Sequence, residues 1–327
     1  MKKISLVFLF LIISLSAFAQ GSKEDNQSDL TPLDLVCGVP IAPPALALLR
    51  MIETDAMGDD VNLSYNLWTG AEQLIAMLQG GQADMFAFPL TVASKLYNKG
   101  FDVKLTNVNT WGVIYFVTSD PSFKTWEDLR GKTVYIPLRT SPPDYLTQYF
   151  MSEAGLEIGK DVKVVYSTQA EIANLLVAGR IEYATMIEPQ MTMAMMKNSK
   201  LRCVYSFEEL WKQEKGEDKH MPNAGFGVRG SFLSENPEIV ARFEKEYEIA
   251  LEWVVSNPKE IGVLAQKELG VSAKVIENAL DNMGMYYQSA QDAKEPLREL
   301  YELLYSFDPS SIGGKIADSG MLYESEI

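Results

Sequence analysis

The chain has 327 residues, of which 47% are hydrophobic and 22% charged, and a formal net charge of −15. That length holds two domains of ordinary size. The acidity comes with no basic stripe, which excludes long nucleic-acid contacts, and two cysteines, Cys37 and Cys203, are too few for a disulfide-dependent fold.

In chain order, the start reads as a secretory signal. Lys2 and Lys3 precede an apolar run from Ile4 to Ala19, which ends on the A-x-A pattern Ala17-Phe18-Ala19. Cleavage is expected before Gln20. The run is shorter than the roughly 20 residues of a spanning helix, and no cysteine at the cut offers a lipid anchor. Residues 1–19 are therefore expected to be a cleaved signal peptide, with a soluble product outside the inner membrane. Residues 20–30 are polar and without periodicity, and read as a disordered leader.

Strands and helices then alternate, which predicts an α/β class with mostly parallel sheets. Strands are expected at 33–39, 61–65, 84–88 and 103–108, with helices at 43–54, 72–79 and 91–98 between them. The β-rich run 113–118 is expected to cross into a second lobe. That lobe has strands at 133–136, 162–166, 183–187 and 202–205. Residues 212–220 read as a charged loop, and 225–229 as the return crossing. After Phe232 only helices are expected. Asn236-Pro237 and Asn257-Pro258 each place proline at a first helical position. Phe243, Tyr247, Ala250, Leu251 and Val254 form a stripe for packing on lobe one. Cys37 and Cys203 would fall in different lobes, where a bond would hinder closure, so both are expected as buried free thiols.

The chain repeats itself. An apolar helical run, a helix-ending glycine, a polar turn, an acid and a strand occur around Gly81 and again around Gly179. A second echo joins Val36-Cys37-Gly38-Val39-Pro40 and Pro43-Pro44 to Val134-Tyr135-Ile136-Pro137 and Pro142-Pro143. Both are strands that end at a proline and lead into a helix opened by a proline pair, a position where the missing N–H costs nothing. Two echoes in the same order imply two equivalent α/β lobes with a cleft between them.

Five segments carry a family resemblance: Gly80-Gly81-Gln82-Ala83-Asp84, Trp126-Glu127-Asp128-Leu129-Arg130-Gly131-Lys132, Ala178-Gly179-Arg180-Ile181-Glu182, Phe232-Leu233-Ser234-Glu235-Asn236-Pro237-Glu238 and Ile312-Gly313-Gly314-Lys315-Ile316. On these the chain resembles a periplasmic solute-binding protein of an ABC transporter, in the nitrate/sulfonate/taurine branch that shares its fold with thiamine-pyrimidine binding proteins. The resemblance covers nearly all of the mature chain and implies a two-lobed type II periplasmic-binding-protein fold. Two crossover strands join the lobes, which close like a hinge, and a helical C-terminal region packs on lobe one. Lobe one would take 31–115 and 228–327, and lobe two 116–227. The implied partners are a small-molecule solute and an inner-membrane permease with its ATPase, and the chain itself would be a monomer.

In open parallel sheets, ligands bind beyond the carboxyl ends of the strands. That rule selects Ile41 and Pro43, Trp68, Phe88 and Trp111 in lobe one, Arg139, Thr140, Ser141 and Glu188 in lobe two, and Asn223 before the return crossing. Ser141 could cap the following helix, whose start would offer free N–H groups to an anion, and Arg139 could add a forked donor. Competing readings are a plain capped helix with a solvent-facing arginine, tryptophans in the lobe cores, and a salt bridge for Glu188 within lobe two. Trp68 and Trp111 could stack a flat ligand or face a cation. Glu188 could accept from an amino or ring N–H group. The expected solute is a sulfonate, a pyrimidine or a similar aromatic or amine compound. A bare inorganic anion fits less well, because Glu188 would repel it.

A sensor module that reports to a receptor would share this cleft and remains an alternative. The same fold also houses a pyrimidine synthase that uses a histidine and a cysteine-rich iron site. Here the single histidine, His220, lies in the charged segment, and no His, Cys or carboxylate grouping suits a metal. No catalytic residue, metal or cofactor is therefore expected.

Overall fold

The computed structural model describes residues 31–324. The expected signal peptide and leader lie outside the described residues.

The chain first lays down β1 (Leu33–Val39), α1 (Pro43–Glu53), β2 (Val61–Leu67), α2 (Ala71–Gln79), β3 (Met85–Pro89), α3 (Leu90–Asn98), β4 (Val103–Leu105) and β5 (Asn107–Trp111). It crosses at Gly112 into β6 (Ile114–Thr118), β7 (Thr133–Pro137), α4 (Pro142–Glu153), β8 (Lys163–Ser167), α5 (Gln169–Val177), β9 (Tyr183–Ile187), α6 (Gln190–Lys197), β10 (Arg202–Ser206) and α7 (Phe207–Lys215). It then returns through β11 (Pro222–Arg229), α8 (Gly230–Glu235), α9 (Pro237–Ser256), α10 (Pro258–Leu269), α11 (Ala273–Ala279), β12 (Met285–Ser289) and α12 (Lys294–Phe307).

Two sheets result. One runs β12-β5-β11-β3-β1-β2, with β4 also paired to β11, and the other runs β10-β6-β9-β7-β8. Each sheet has its first βαβαβ stretch in the same spatial order, so the echo seen in the sequence is an echo of topology. The equivalent glycines behave alike. Gly81 and Gly179 end α2 and α5 in left-handed conformations, φ 62° and 65°, which lets the chain turn back toward the next strand. The acids that follow them differ. Asp84 accepts from Val36 N at 3.1 Å and pairs with Arg229 at 2.6 Å, whereas Glu182 is exposed.

The sheets are mixed rather than mostly parallel. β1 runs parallel to β2 and β3, and β7 parallel to β8 and β9. The strands next to the crossings enter antiparallel: β11 against β3, β4 and β5, and β6 against β9 and β10. A strand that carries the chain from the far sheet arrives at the cleft end, opposite to one that comes from a helix. The expected crossing strands are thus full members of the sheets. β6 lies wholly in the second sheet and β11 wholly in the first, and the chain passes between them at 112–113 and 216–221.

Two further expectations give way. The segment from Lys212 to Lys215 is helical, because Phe207 and Trp211, one turn apart, are both fully buried and Lys212 reaches Glu208 and Glu209 at 3.7 and 3.3 Å. The C-terminal region also contains a strand, β12, which pairs antiparallel with β5 through Met285, Gln288 and Ser289 and bulges at its two tyrosines. Its partner is far away in sequence, so no local pattern announced it. The α9 stripe packs as expected: Phe243, Tyr247, Leu251 and Val254 are buried beside α1 and the first sheet, and Tyr247 Oη donates to Pro44 O at 3.0 Å.

Candidate functional site

The loops beyond the strand ends of both sheets face one another. After β1, Ile41 stays 46% exposed while Pro43 is buried. They share a small apolar recess with Ala42, Ile276, Met283 and, from the other half, Pro189. Its volume is about 10 Å³, room for a single water at most, so the two halves meet here in this conformation.

At the end of β9, Glu188 is 1% exposed. Its Oε2 accepts from Thr192 N at 3.0 Å, and its Oε1 accepts from Thr192 Oγ1 at 2.7 Å and from Asn282 Nδ2 at 3.4 Å. Burial pushes the carboxyl above its ordinary range, against the opposing pull of these hydrogen bonds. The salt bridge weighed from sequence is not formed: no lysine, arginine or histidine among the described residues pairs with Glu188. Asn282 belongs to the opposite half, and its carbonyl also accepts from Tyr115 Oη at 2.6 Å. Asn282 therefore ties β6 and the end of β9 to the segment leading into β12.

The loop before α4 is unlike the expected anion cradle. Leu138 and Thr140 are both left-handed, φ 52° and 63°, a costly state for non-glycine residues, above all for a β-branched one. Arg139 is exposed between them, with its guanidinium 5.0 Å from the centre of the Tyr166 ring. Ser141 stands at the N-cap, yet its hydroxyl makes no cap bond and donates to Leu138 O instead. The cap comes from Asp144, 2% exposed, whose Oδ2 accepts from Thr140 N at 2.7 Å. Its Oδ1 accepts from Gln148 Nε2 and Tyr166 Oη. Lys95, from α3 of the other half, donates to Thr140 O at 2.8 Å.

The aromatic residues are more deeply placed than a stacking platform needs. Trp111 is 2% exposed, stacks on Tyr286 with ring centres 4.6 Å apart, and donates from Nε1 to Tyr286 O at 3.1 Å. It serves the core at the crossing rather than offering a face. Phe88 is likewise buried within β3. Trp68 packs at the end of β2, and its buried Nε1 has no hydrogen-bond partner, an unpaired donor that is costly to keep dry. Asn223 is buried in β11.

The crossings lie side by side. Gly112 N donates to Met221 O at 2.9 Å, and Trp111 N donates to Gly284 O at 2.8 Å. Glu208 of α7 holds the return segment: its Oε2 accepts from Met221 N at 2.8 Å, and its Oε1 lies 2.6 Å from His220 Nδ1. Gly112 has φ 53°, and a Cβ there would sit 2.5 Å from Glu208 Cβ.

Sequence reasoning missed Asp144, Asn282, Lys95 and Tyr286. Asp144 carried a signal, since an acid three residues after Ser141 has capping-box spacing. The other three act through partners remote in sequence. Of the two thiols, Cys37 is buried as expected, but Cys203 is exposed, and both are free. Cys203 lies in β10 at the edge of its sheet. Among the described residues no metal-binding group of acids, cysteines or histidines occurs, and no helix is long and apolar enough to cross a membrane.

The sequence matches the NMT1-like family over residues 67–267, more than half of the chain. YtlA of Bacillus subtilis (strain 168), a proposed binding protein, is 23% identical over 310 residues, covering 93% of this chain and 84% of YtlA. Among solved structures, an ABC transporter protein from Parabacteroides distasonis superposes with a TM-score of 0.75 at 22% identity, over 89% of this chain and 99% of that one. The periplasmic aliphatic sulphonate binding protein SsuA from Escherichia coli superposes with a TM-score of 0.73 at 16% identity, over 90% and 93%. At these identities the two superpositions establish a shared fold.

Proposed function

The chain belongs to the NMT1-like family, and from that premise we propose that it is the periplasmic capture component of an ABC importer, which closes its two halves on a small organic solute. The observation that carries this reading is the pair of sheets of matching strand order, whose strand ends face each other across a seam and whose two connections run together at Gly112 and Met221. Adjacent crossings leave the halves free to rotate about one line. The binding role put forward for YtlA and the transport roles of the structural neighbours support the reading.

In this reading the lobes meet the hinge at residues 112–113 and 216–221. The solute sits among the Ile41–Pro43 loop, Trp68, the Arg139–Ser141 loop and Glu188, and the closed form docks on an inner-membrane permease. No residue is assigned a catalytic role. Ligand binding must favour the closed state over the open one for closure to follow. A thermal-shift screen over sulfonates, pyrimidines, flavins, amino acids and nitrate tests the proposal. A true ligand at a hundred times its dissociation constant adds about 2.7 kcal/mol of stability, and small-angle scattering should record a more compact particle. Stabilisation by no solute class, or stabilisation without compaction, overturns it.

A further inference from the structure

We propose that an apolar groove at the seam seats a hydrocarbon group of the solute, and that Val271, Ile276 and Met283, all from the C-terminal helical region, set which groups it accepts. The inference rests on the capture reading above and adds to it the chemistry of one part of the solute and these three residues.

The groove is the recess beside Ile41 and Pro43. Its floor is Leu46 of α1, Ile276 of α11 and Met283, all of them buried. Its rim is the exposed Ile41 together with Leu269 and Val271, which are half-buried on either side of Gly270, where α10 ends in a left-handed turn. Every side chain in the lining is apolar. A polar group placed there finds no side chain to bond with and loses its water. A hydrocarbon group loses nothing, and it covers rim surface that otherwise faces water.

Pro189 completes the groove, and it is the one lining residue from the other half. The groove is therefore whole only when the halves are together. An occupant that touches Pro189 and Ile41 at once binds the closed form better than the open one, which is the differential affinity that closure requires. The segment that carries Ile276 and Met283 is also tied to the far half: Asn278 Nδ2 donates to Met196 Sδ at 3.5 Å, and Asn282 O accepts from Tyr115 Oη. The floor thus takes its place against Pro189 as the seam forms.

The enclosed space at the bottom is about 10 Å³, whereas the empty space counted out to open solvent is about 220 Å³. An aliphatic or aromatic group accordingly enters over the rim and lies on the floor. Val271 and Ile276 are β-branched and stiff. Met283 is unbranched and flexible, and is the part of the floor that can yield to a longer group.

The test is titration calorimetry on the purified protein with two homologous series, 1-alkanesulfonates and 1-alkylammonium ions, each from methyl to octyl. Opposite head groups separate the hydrocarbon's effect from that of charge. In at least one series affinity should rise about fourfold per methylene and then level off. Val271→Asp puts a carboxylate at the half-buried rim and should flatten the rise, while Val271→Ile should keep it. Met283→Ala should move the levelling-off to longer chains. Equal affinity for the methyl and hexyl members in both series overturns the inference, as does a rise that survives in Val271→Asp. Should Met283→Ala fail to fold, the Val271 pair decides. Compaction on nitrate, with neither series bound, would sink this inference and leave the capture reading standing.

Discussion

Glu244, on α9, should make the protein less stable as pH rises, and Glu244→Gln should remove that dependence. The side chain is 7% exposed. Its Oε2 accepts from Asn107 Nδ2 at 2.8 Å and from Tyr287 Oη at 2.9 Å, while its buried Oε1 finds no partner. Burial lifts the carboxyl from 4.5 to about 7, with the Asn107, Thr106 and Tyr287 hydrogen bonds opposing the shift. The folded state then keeps a proton that the unfolded state has already lost. Its stabilising effect is complete below pH 4.5 and disappears as pH climbs through about 7. At about 1.4 kcal/mol per pH unit, the cost above neutrality is about 3 kcal/mol, most of it incurred between pH 5 and pH 8. Glutamine keeps the shape and an oxygen for both donors, yet cannot ionise. Urea denaturation of both proteins at pH 5 and pH 8 reads the effect as a difference of differences, in which all other titrating groups cancel. The variant should gain about 2–3 kcal/mol on wild type between the two pH values. Equal pH slopes would refute the assignment of a buried, singly satisfied carboxylate.

Three further outcomes follow from the site. Trp68→Ala and Glu188→Ala should each weaken solute binding at least about tenfold, or about 1.4 kcal/mol; unchanged calorimetric affinity in both would show the pocket lies elsewhere. Gly112→Ala should destabilise more than Gly131→Ala. Both residues are left-handed, at φ 53° and 74°, and pay about 1–2 kcal/mol for a Cβ, but only at Gly112 does that Cβ strike Glu208; equal urea midpoints would remove the close approach. A thiol reagent should modify Cys203 in the native protein and Cys37 only after unfolding; burial pushes the Cys203 thiol up to about 11, so its reaction should be slow at neutral pH and quicken as pH rises, and native modification of two thiols or of none by mass spectrometry would contradict the burial pattern.

The fold was legible where a segment carries its own punctuation. β1 and β9 fall where the sequence places them, and Gly81 and Gly179 turn the chain as their position after an apolar helical run demands. Legibility failed where a partner distant in sequence decides. β12 needs β5, and α7 extends through a charged stretch because Phe207 and Trp211 find the core beneath it. The candidate site divides the same way. The rule that ligands bind beyond strand ends selected Ile41, Pro43, Arg139 and Glu188 from the sequence, and the structure has each of them just past a strand end. It could not reveal that Trp111 turns inward, a choice fixed by Tyr286 from the far end of the chain.

The bonding at the two ends of the seam bears on how such a molecule could move. At the base, the links are backbone pairs and a carboxylate: Gly112 to Met221, Trp111 to Gly284, and Met221 to Glu208. These atoms lie on or beside the crossings, so a rotation about that line changes their separations least. Gly284 reinforces the base, since a Cβ there would come within 1.9 Å of Trp111 O, and the approach of the two strands depends on its absence. Away from the base, hydrogen bonds between halves include the side-chain contacts Lys95 to Thr140 O, Tyr115 to Asn282 O, Asn282 to Glu188, and Asn278 to Met196. Each can be exchanged for water at a net cost of about 0.5–1.5 kcal/mol. As far as hydrogen bonds go, separation at the mouth would cost less than separation at the base, the asymmetry that the proposed hinge requires; in that proposal a solute needs a few kcal/mol of preference for the closed form to govern which state is populated.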